Sequence, residues 1–236
     1  MGSLYLIRHG QASFGSDDYD VLSTNGQRQA RLLGAHLASL GIRLDRCLSG
    51  TLRRQRHTAE TMLDELATQG RPVPTLQSNP AFDEFDADGV IRGLLPGLLP
   101  QEPEALHILR DVASNKAEFQ RLFARIIERW LDGGYDTDGL QSWRGFVDTV
   151  RSGLEALLDS AAAGEHIAVV TSGGTIAALL HLITGIAPTQ AFEMNWQIVN
   201  TSLSHLRFRD RAVVLATFNE YPHLQLTGDR QLITYR

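Results

Sequence analysis

Near the start of the sequence, an arginine and a histidine stand side by side in the tripeptide Arg8-His9-Gly10. The tripeptide directly follows the apolar run at residues 4–7. A short β-branched and aromatic run stopped by glycine is typical of a buried strand that delivers its last side chains into a loop. The imidazole of His9 can attack an electrophile through one ring nitrogen while the other fixes its tautomer. The guanidinium of Arg8 is a rigid fork of donors that suits phosphate. The pair therefore indicates nucleophilic chemistry beside an anion.

A glycine-rich segment, Ser172-Gly173-Gly174, follows a second apolar run at 166–171 and leads into a helical pattern. Backbone N–H groups at a helix N-terminus, together with the helix dipole, form a natural anion site. A tight turn that merely needs glycine is the structural alternative. Because ligands of an open parallel sheet bind beyond the carboxyl ends of its strands, we expect both strand ends to contribute to one site.

A third strand end, at 45–49, leads into a helix start that carries Arg53, Arg54 and Arg56. A run of charges is usually a solvated face. Since the three side chains cannot all point the same way, at most one or two of them face a pocket.

Carboxylates flanked by aromatic residues follow the strand predicted at 73–77, in the stretch Asp83-Glu84-Phe85-Asp86. A partly buried carboxylate in this stretch can be held protonated and act as a general acid. Glu84, Asp86 and Asp88 have the spacing with which a calcium loop begins. However, Leu95 occupies the position where such a loop needs its bidentate glutamate. We therefore predict an acid here and no metal.

The elements that must position these residues alternate between strands and helices along all 236 residues. Strands are predicted at 3–8, 45–49, 73–77, 166–171, 201–208 and 211–218. Helices are predicted at 24–40, 52–69, 104–131, 143–161, 174–184 and 188–195. This alternation predicts a single α/β domain, a mostly parallel central sheet with helices on both faces and an antiparallel hairpin at one edge. Residues 86–103 are rich in glycine and proline, which predicts an irregular excursion that opens a helical insertion or cap over 86–161.

The composition excludes several classes of protein. A net charge of −5 argues against a nucleic-acid partner. Cys47 is the sole cysteine, which excludes an intramolecular disulfide and any multi-cysteine metal site, and we read it as a buried small hydrophobe. Core sequence begins at Leu4, and the longest apolar stretch, 176–187, is too short to span a bilayer. We expect a cytoplasmic protein without a membrane partner.

Three segments, in this order, resemble the histidine phosphatase superfamily, which has the phosphoglycerate-mutase-like fold, over essentially the whole chain. Arg8-His9-Gly10 matches the Arg-His-Gly signature, with the usual Gln or Glu present as Gln11. The segment 22–30 matches Leu-Thr-x-x-Gly-x-x-Gln-Ala. The helix start Ser-x-Leu-x-Arg-Ala-x-Gln-Thr-Ala is echoed up to Ala59, which aligns its phosphate-binding arginine with Arg54.

The resemblance implies roles for individual residues. His9 is the nucleophile that forms a phosphohistidine, and Arg8 and Arg54 clamp the phosphoryl oxygens. Glu84 donates a proton to the leaving alcohol. We also expect phosphate contacts from Ser172, Gly173 and Gln11.

Three departures from the family pattern matter. The asparagine that often follows the signature by five positions is Gly15. The second histidine of the family, which follows a strand as His-Gly, is replaced by Ser172. A histidine can bring a full positive charge to the transition state, whereas serine brings a neutral hydroxyl donor. The residues around Glu84 lack the usual glycine-rich continuation, so Asp83 or Asp86 remains an alternative for the acid.

The favoured function is a metal-independent phosphomonoesterase that needs no cofactor and acts on a small phosphorylated substrate. Phosphoryl transfer depends mainly on positioning and charge neutralisation, so serine at 172 weakens activity without abolishing it. A phosphate-binding relative without activity is the alternative, and a mutase is less favoured because its extra segments are not found. A serine hydrolase using Ser172 is disfavoured because Val170 replaces the glycine of a nucleophile elbow. Neither the physiological substrate nor the oligomeric state is predicted.

Overall fold

The computed structural model describes residues 1–13, 20–112 and 114–235. The chain divides into two compact units, the first made of Met1–Glu84 with Thr149–Arg236 and the second of Phe85–Asp148. The second unit begins one residue before the predicted insertion at 86–161 and ends thirteen residues earlier.

The first unit is built on one six-stranded sheet. Its strands are β1 Gly2–Arg8, β2 Arg46–Ser49, β3 Leu76–Ser78, β4 His166–Thr171, β5 Leu203–Arg209 and β6 Ala212–Glu220. They lie in the order β3-β2-β4-β1-β5-β6. The pairs β3–β2, β2–β4 and β4–β1 are parallel, whereas β1–β5 and β5–β6 are antiparallel. The predicted α/β fold with an antiparallel edge hairpin is therefore confirmed.

Nine α-helices lie in the described parts of the two units. They are α1 Thr24–Ser39, α2 Arg53–Thr68, α3 Ala87–Leu98, α4 Ala105–Arg110, α5 Lys116–Asp132, α6 Trp143–Asp159, α7 Gly173–Thr184, α8 Pro188–Asn195 and α9 Pro222–Gln225. In the described ranges, none of these helices is both long and apolar enough to cross a membrane.

The core of the first unit lies on both sides of the central strands, because the side chains of β1 and β4 are buried along nearly their whole length. One cluster joins the faces of α1 and α2 to the sheet through Leu33, Leu37, Met62 and Val170, among others. Cys47 lies in the same cluster and is fully buried, as predicted, and burial raises the pKa of its thiol to about 12.

The second unit corrects two predictions. Residues 87–98 form a helix where an irregular excursion was expected, since Val90, Leu94 and Leu98 share a buried face and Asp86 caps the first turn by accepting from Gly89. Proline in the last turn of this helix removes one hydrogen bond and does not outweigh that burial. The single helix predicted at 104–131 is two helices, α4 and α5.

Candidate active site

Strand register places His9 beside Ser172. β1 and β4 are parallel neighbours with Arg8 opposite Thr171, and the backbone N–H of His9 donates to the carbonyl of Thr171 at 2.8 Å. His9 and Ser172, which directly follow these two strands, therefore lie at the same carboxyl edge of the sheet. This is the edge at which parallel sheets bind ligands.

The His9 imidazole is buried and has a defined tautomer. Its side chain is only 4% exposed, and Nδ1 lies 2.8 Å from the carbonyl oxygen of Gly10. Since a carbonyl can only accept, the proton resides on Nδ1 and Nε2 carries the lone pair. Burial, followed by the charges of Arg54 and Arg8, lowers the pKa of His9 well below its ordinary value, against the opposing hydrogen bond to Gly10. His9 is therefore neutral at physiological pH.

Arg54 faces this lone pair from the first turn of α2. Its Nε donates to His9 Nε2 at 3.2 Å, and its side chain is buried, whereas the neighbouring Arg53 is exposed. Asp20 holds the guanidinium from the other side, with Oδ1 2.7 Å from Nη1 of Arg54. Asp20 also accepts from the backbone N–H of Arg53 at 2.8 Å and so satisfies a donor at the start of α2. Asp20 thus orients Arg54 toward His9.

Arg8 approaches the same region from β1. One of its Nη atoms donates to the carbonyl of Ile198, and its guanidinium carbon lies close to Gly173, 3.8 Å from where a Cβ would be. A Cβ at Gly173 would also overlap Oδ1 of Asn195. The absence of a side chain at Gly173 therefore leaves room for the Asn195 amide at the start of α7.

Ser172 has a buried amide as its partner. Both Ser172 and Gln55 are 0% exposed, and Nε2 of Gln55 lies 2.8 Å from the Ser172 hydroxyl oxygen. The same nitrogen lies 3.2 Å from the carbonyl oxygen of Phe82. Gln55 was not among the site residues predicted from the sequence. The sequence does contain a signal for it. Gln55 is a polar residue three positions before Thr58 and four before Ala59, so all three lie on the same, buried face of α2.

Glu84 is the acidic side chain that reaches the start of α7. Its Oε2 accepts from the backbone N–H of Gly174 at 3.2 Å. The carboxylate of Asp83 instead accepts from both the backbone and the hydroxyl of Thr51, the latter at 2.6 Å. Asp86 caps α3. The carboxylates of Asp83 and Asp86 therefore each accept hydrogen bonds that stabilise the surrounding structure.

Gln11 is tied to the beginning of α1. Its side-chain oxygen accepts from the Ser23 hydroxyl at 2.8 Å, and its backbone N–H donates to Gln29 at 2.8 Å. Ser23 in turn caps α1 by accepting from Gly26. These contacts fix the loop that follows His9.

Several buried polar groups hold the backbone around His9. Asn200 donates to the carbonyl of His9 at 2.9 Å, and the Thr58 hydroxyl accepts from the N–H of Gly10 at 2.9 Å. Thr201 donates its N–H to the carbonyl of Arg8 at 3.0 Å and has a φ of 61°, which is unusual for a β-branched residue. Strained backbone of this kind is characteristic of functional sites. The contacts join distant parts of the chain, which is why local sequence patterns did not reveal them.

The fold is that of the phosphoglycerate-mutase-like α/β proteins, with a buried histidine and two arginines at the carboxyl edge of the sheet. The chain belongs to the histidine phosphatase superfamily (branch 1), whose family model matches residues 4–221. In the described ranges, no group of three or more His, Cys, Asp or Glu side chains is arranged to hold a metal ion.

Among curated proteins, the chain is similar to the mitochondrial serine/threonine-protein phosphatase Pgam5 of Drosophila yakuba, at 30% identity over 124 residues. The corresponding protein of Drosophila persimilis is 32% identical over 124 residues. Each match covers 52% of this chain and 40% of the relative, so the chain aligns with about two fifths of those proteins.

Solved structures share the fold across almost the whole chain. A Bacillus stearothermophilus protein, YhfR, superposes with a TM-score of 0.64 at 17% identity, covering 95% of this chain and 100% of that one. Phosphoglycerate mutase from Bacillus anthracis gives 0.62 at 16% identity and 97% coverage of both chains. A phosphoserine phosphatase mutant from Entamoeba histolytica, in complex with phosphoserine, gives 0.60 at 19%, covering 95% of this chain and 100% of that one.

Proposed function

We propose that the chain is a metal-independent phosphomonoester hydrolase that acts through a phosphohistidine on His9. The observation that carries this proposal is the state of the His9 imidazole. The ring is neutral, and its proton lies on Nδ1, which donates to the carbonyl of Gly10. The lone pair on Nε2 is directed toward Arg54. A nucleophile needs an available lone pair and nearby positive charge for the group that it attacks. His9 has both.

The proposed reaction has two balanced steps. Nε2 of His9 attacks phosphorus, an N–P bond forms as the ester P–O bond breaks, and Glu84 gives its proton to the leaving oxygen. Water then attacks phosphorus, the N–P bond breaks, and the carboxylate of Glu84 takes the proton of the water. Inorganic phosphate leaves and His9 is regenerated.

The phosphoryl oxygens are bound by the fixed donors around His9. Arg8 and Arg54 supply charge-assisted hydrogen bonds, which are roughly twice as strong as neutral ones. The start of α7 adds the backbone of Gly173 and the hydroxyl of Ser172, and Gln11 closes the site beside the nucleophile. The relatives and structural neighbours named as phosphatases support hydrolysis. A small phosphomonoester is the proposed substrate, and the cytoplasmic location stays a prediction.

A phosphate binder without turnover is the second candidate, and Ser172 in place of histidine is the observation that favours it. Assay of the purified chain on aryl, sugar and amino-acid phosphates, with a chelator present, separates the two. We expect phosphate release that the chelator does not reduce. Binding of tungstate without release from any ester would establish the binder, and release that the chelator abolishes would contradict a metal-independent reaction.

The role of Glu84 predicts a dependence on the leaving group. Glu84→Gln should lower kcat/KM for an alkyl phosphate by about 10²-fold or more, because the alkoxide needs a proton as it leaves. Hydrolysis of p-nitrophenyl phosphate should fall much less, since p-nitrophenolate leaves unprotonated. Steady-state rates on the two esters measure the difference.

Asp86→Asn is the matched control, because its exposed carboxylate caps α3. It should leave the ratio of the two rates unchanged. Equal losses on both esters in Glu84→Gln would show that Glu84 has a structural role instead.

A further inference from the structure

We propose that Gln55 is a positioning residue of the reaction, which fixes the hydroxyl of Ser172 as a donor to the phosphoryl group. The inference rests on the proposed function for its chemical meaning. Its structural basis is the pair of fully buried side chains, with Nε2 of Gln55 2.8 Å from the oxygen of Ser172.

The orientation of the Gln55 amide follows from its second partner. The carbonyl oxygen of Phe82 can only accept, so the atom 3.2 Å from it must be the NH₂ group. That NH₂ group therefore also donates to Ser172, whose oxygen is the acceptor. With the oxygen engaged in this way, the hydroxyl proton must point away from Gln55.

The hydroxyl proton is then free to point toward the proposed anion site. In the described part of the chain, the Gln55 amide is the hydrogen-bond partner of the Ser172 hydroxyl, which makes no capping bond to α7. Strand register puts Ser172 beside His9 at the carboxyl edge of the sheet. A phosphoryl group on His9 is an acceptor for the proton, and Gln55 holds the donor in place before the substrate arrives.

The carbonyl oxygen of the Gln55 side chain destabilises the fold, which argues against a role of Gln55 in packing alone. Within the described ranges its Oε1 is buried without a hydrogen-bond partner. The atom lies so close to Gly50 that a Cβ there would overlap it. A buried unsatisfied carbonyl destabilises a fold, whereas an apolar side chain at this position would bring no such oxygen. An amide retained under these conditions has a use for its NH₂ group.

The sequence adds an independent observation. The family's helix-start motif has alanine directly after the arginine, and this chain has Gln55 there. The family's histidine after the strand is Ser172 here. The two departures contact each other, so a small residue beside a large one has been exchanged for a large residue beside a small one. We infer that Gln55 and Ser172 replace an alanine and a histidine as one unit.

A double-mutant cycle tests this unit. Gln55→Leu and Ser172→Ala should each lower kcat/KM by roughly 10- to 150-fold, mainly through kcat, because the bond acts on the transition state. The double variant should be no worse than either single variant. Multiplied losses in the double variant would overturn the inference.

The family's arrangement provides a rescue. Gln55→Ala combined with Ser172→His should recover activity relative to Gln55→Ala alone, and its pH–rate profile should gain a limb near the imidazole value of about 6.5. The wild type should lack this limb. A structural role for Gln55 would produce neither effect.

Two further measurements keep every outcome interpretable. Met62→Ala, a buried change further along α2, controls for loss of stability and should leave kcat/KM unchanged at a temperature where the variant is folded. The affinity for orthovanadate, which can mimic the five-coordinate transition state, is measured by calorimetry and reports the cycle without turnover; both single variants should weaken it by the same factor. Coupled binding in a chain that releases no phosphate would refute the proposed function alone, whereas turnover with uncoupled variants would refute the role of Gln55 alone.

Discussion

Replacement of His9 by alanine is expected to remove essentially all phosphatase activity, with a loss on the order of 10⁴-fold or more. In the proposed reaction His9 supplies the atom that bonds to phosphorus in the first step, and the neighbouring arginines cannot replace it because arginine stays protonated. Release of p-nitrophenol from the aryl ester measures the loss. Rapid quenching without acid, followed by intact-mass determination, should show a phosphate adduct on the wild type and none on the variant.

His107→Ala is the matched control, because His107 is an exposed histidine on α4. It should retain both the rate and the adduct. The pH profile gives a second check on the wild type. Since burial and the two arginines hold the pKa of His9 below its ordinary value, the nucleophile should stay unprotonated as the pH is lowered through 6.5. Undiminished activity in His9→Ala would end the proposed mechanism.

Loss of Arg54 is expected to have the second largest effect. Arg54→Ala should abolish the rise in melting temperature that tungstate or orthovanadate produces, because it removes charge-assisted donors beside His9. Arg53→Ala should leave that rise nearly intact, since its side chain is exposed and its backbone N–H, which contacts Asp20, is kept in the variant. For each variant, the quantity to compare is the difference in melting temperature between the protein with the anion and the same protein without it.

Arg54→Lys distinguishes charge from geometry. Lysine keeps the charge but lacks the fork that reaches His9 and Asp20 at once, so the melting-temperature rise should be intermediate. A rise lost in Arg53→Ala and kept in Arg54→Ala would mean that the other arginine binds the anion.

The sequence was sufficient for those features that depend on local pattern. Alternating apolar runs predicted the parallel sheet and its edge hairpin, and strand ends predicted that His9 and Ser172 would lie at one edge. Residues 87–98 were not recognised as a helix because glycine and proline outweighed a buried face that is clear once Val90, Leu94 and Leu98 are seen together.

The supporting residues of the site could not be predicted in the same way. Asp20 reaches Arg54 across 34 positions, and Asn200 reaches His9 across 191. No local period records such a contact. Gln55 is different, since an amide on a buried helix face is visible in the sequence, and only its partner required the structure.

The central place of β1 in the sheet has a consequence for the order in which the protein folds. Its two neighbouring strands, β4 and β5, begin at His166 and Leu203, so both strand pairings of the strand that ends beside His9 come from the last part of the chain. Pairings this distant in sequence form slowly, and during synthesis they wait for the later strands. A nascent chain that ends before His166 carries His9 and both arginines without the sheet that brings them together.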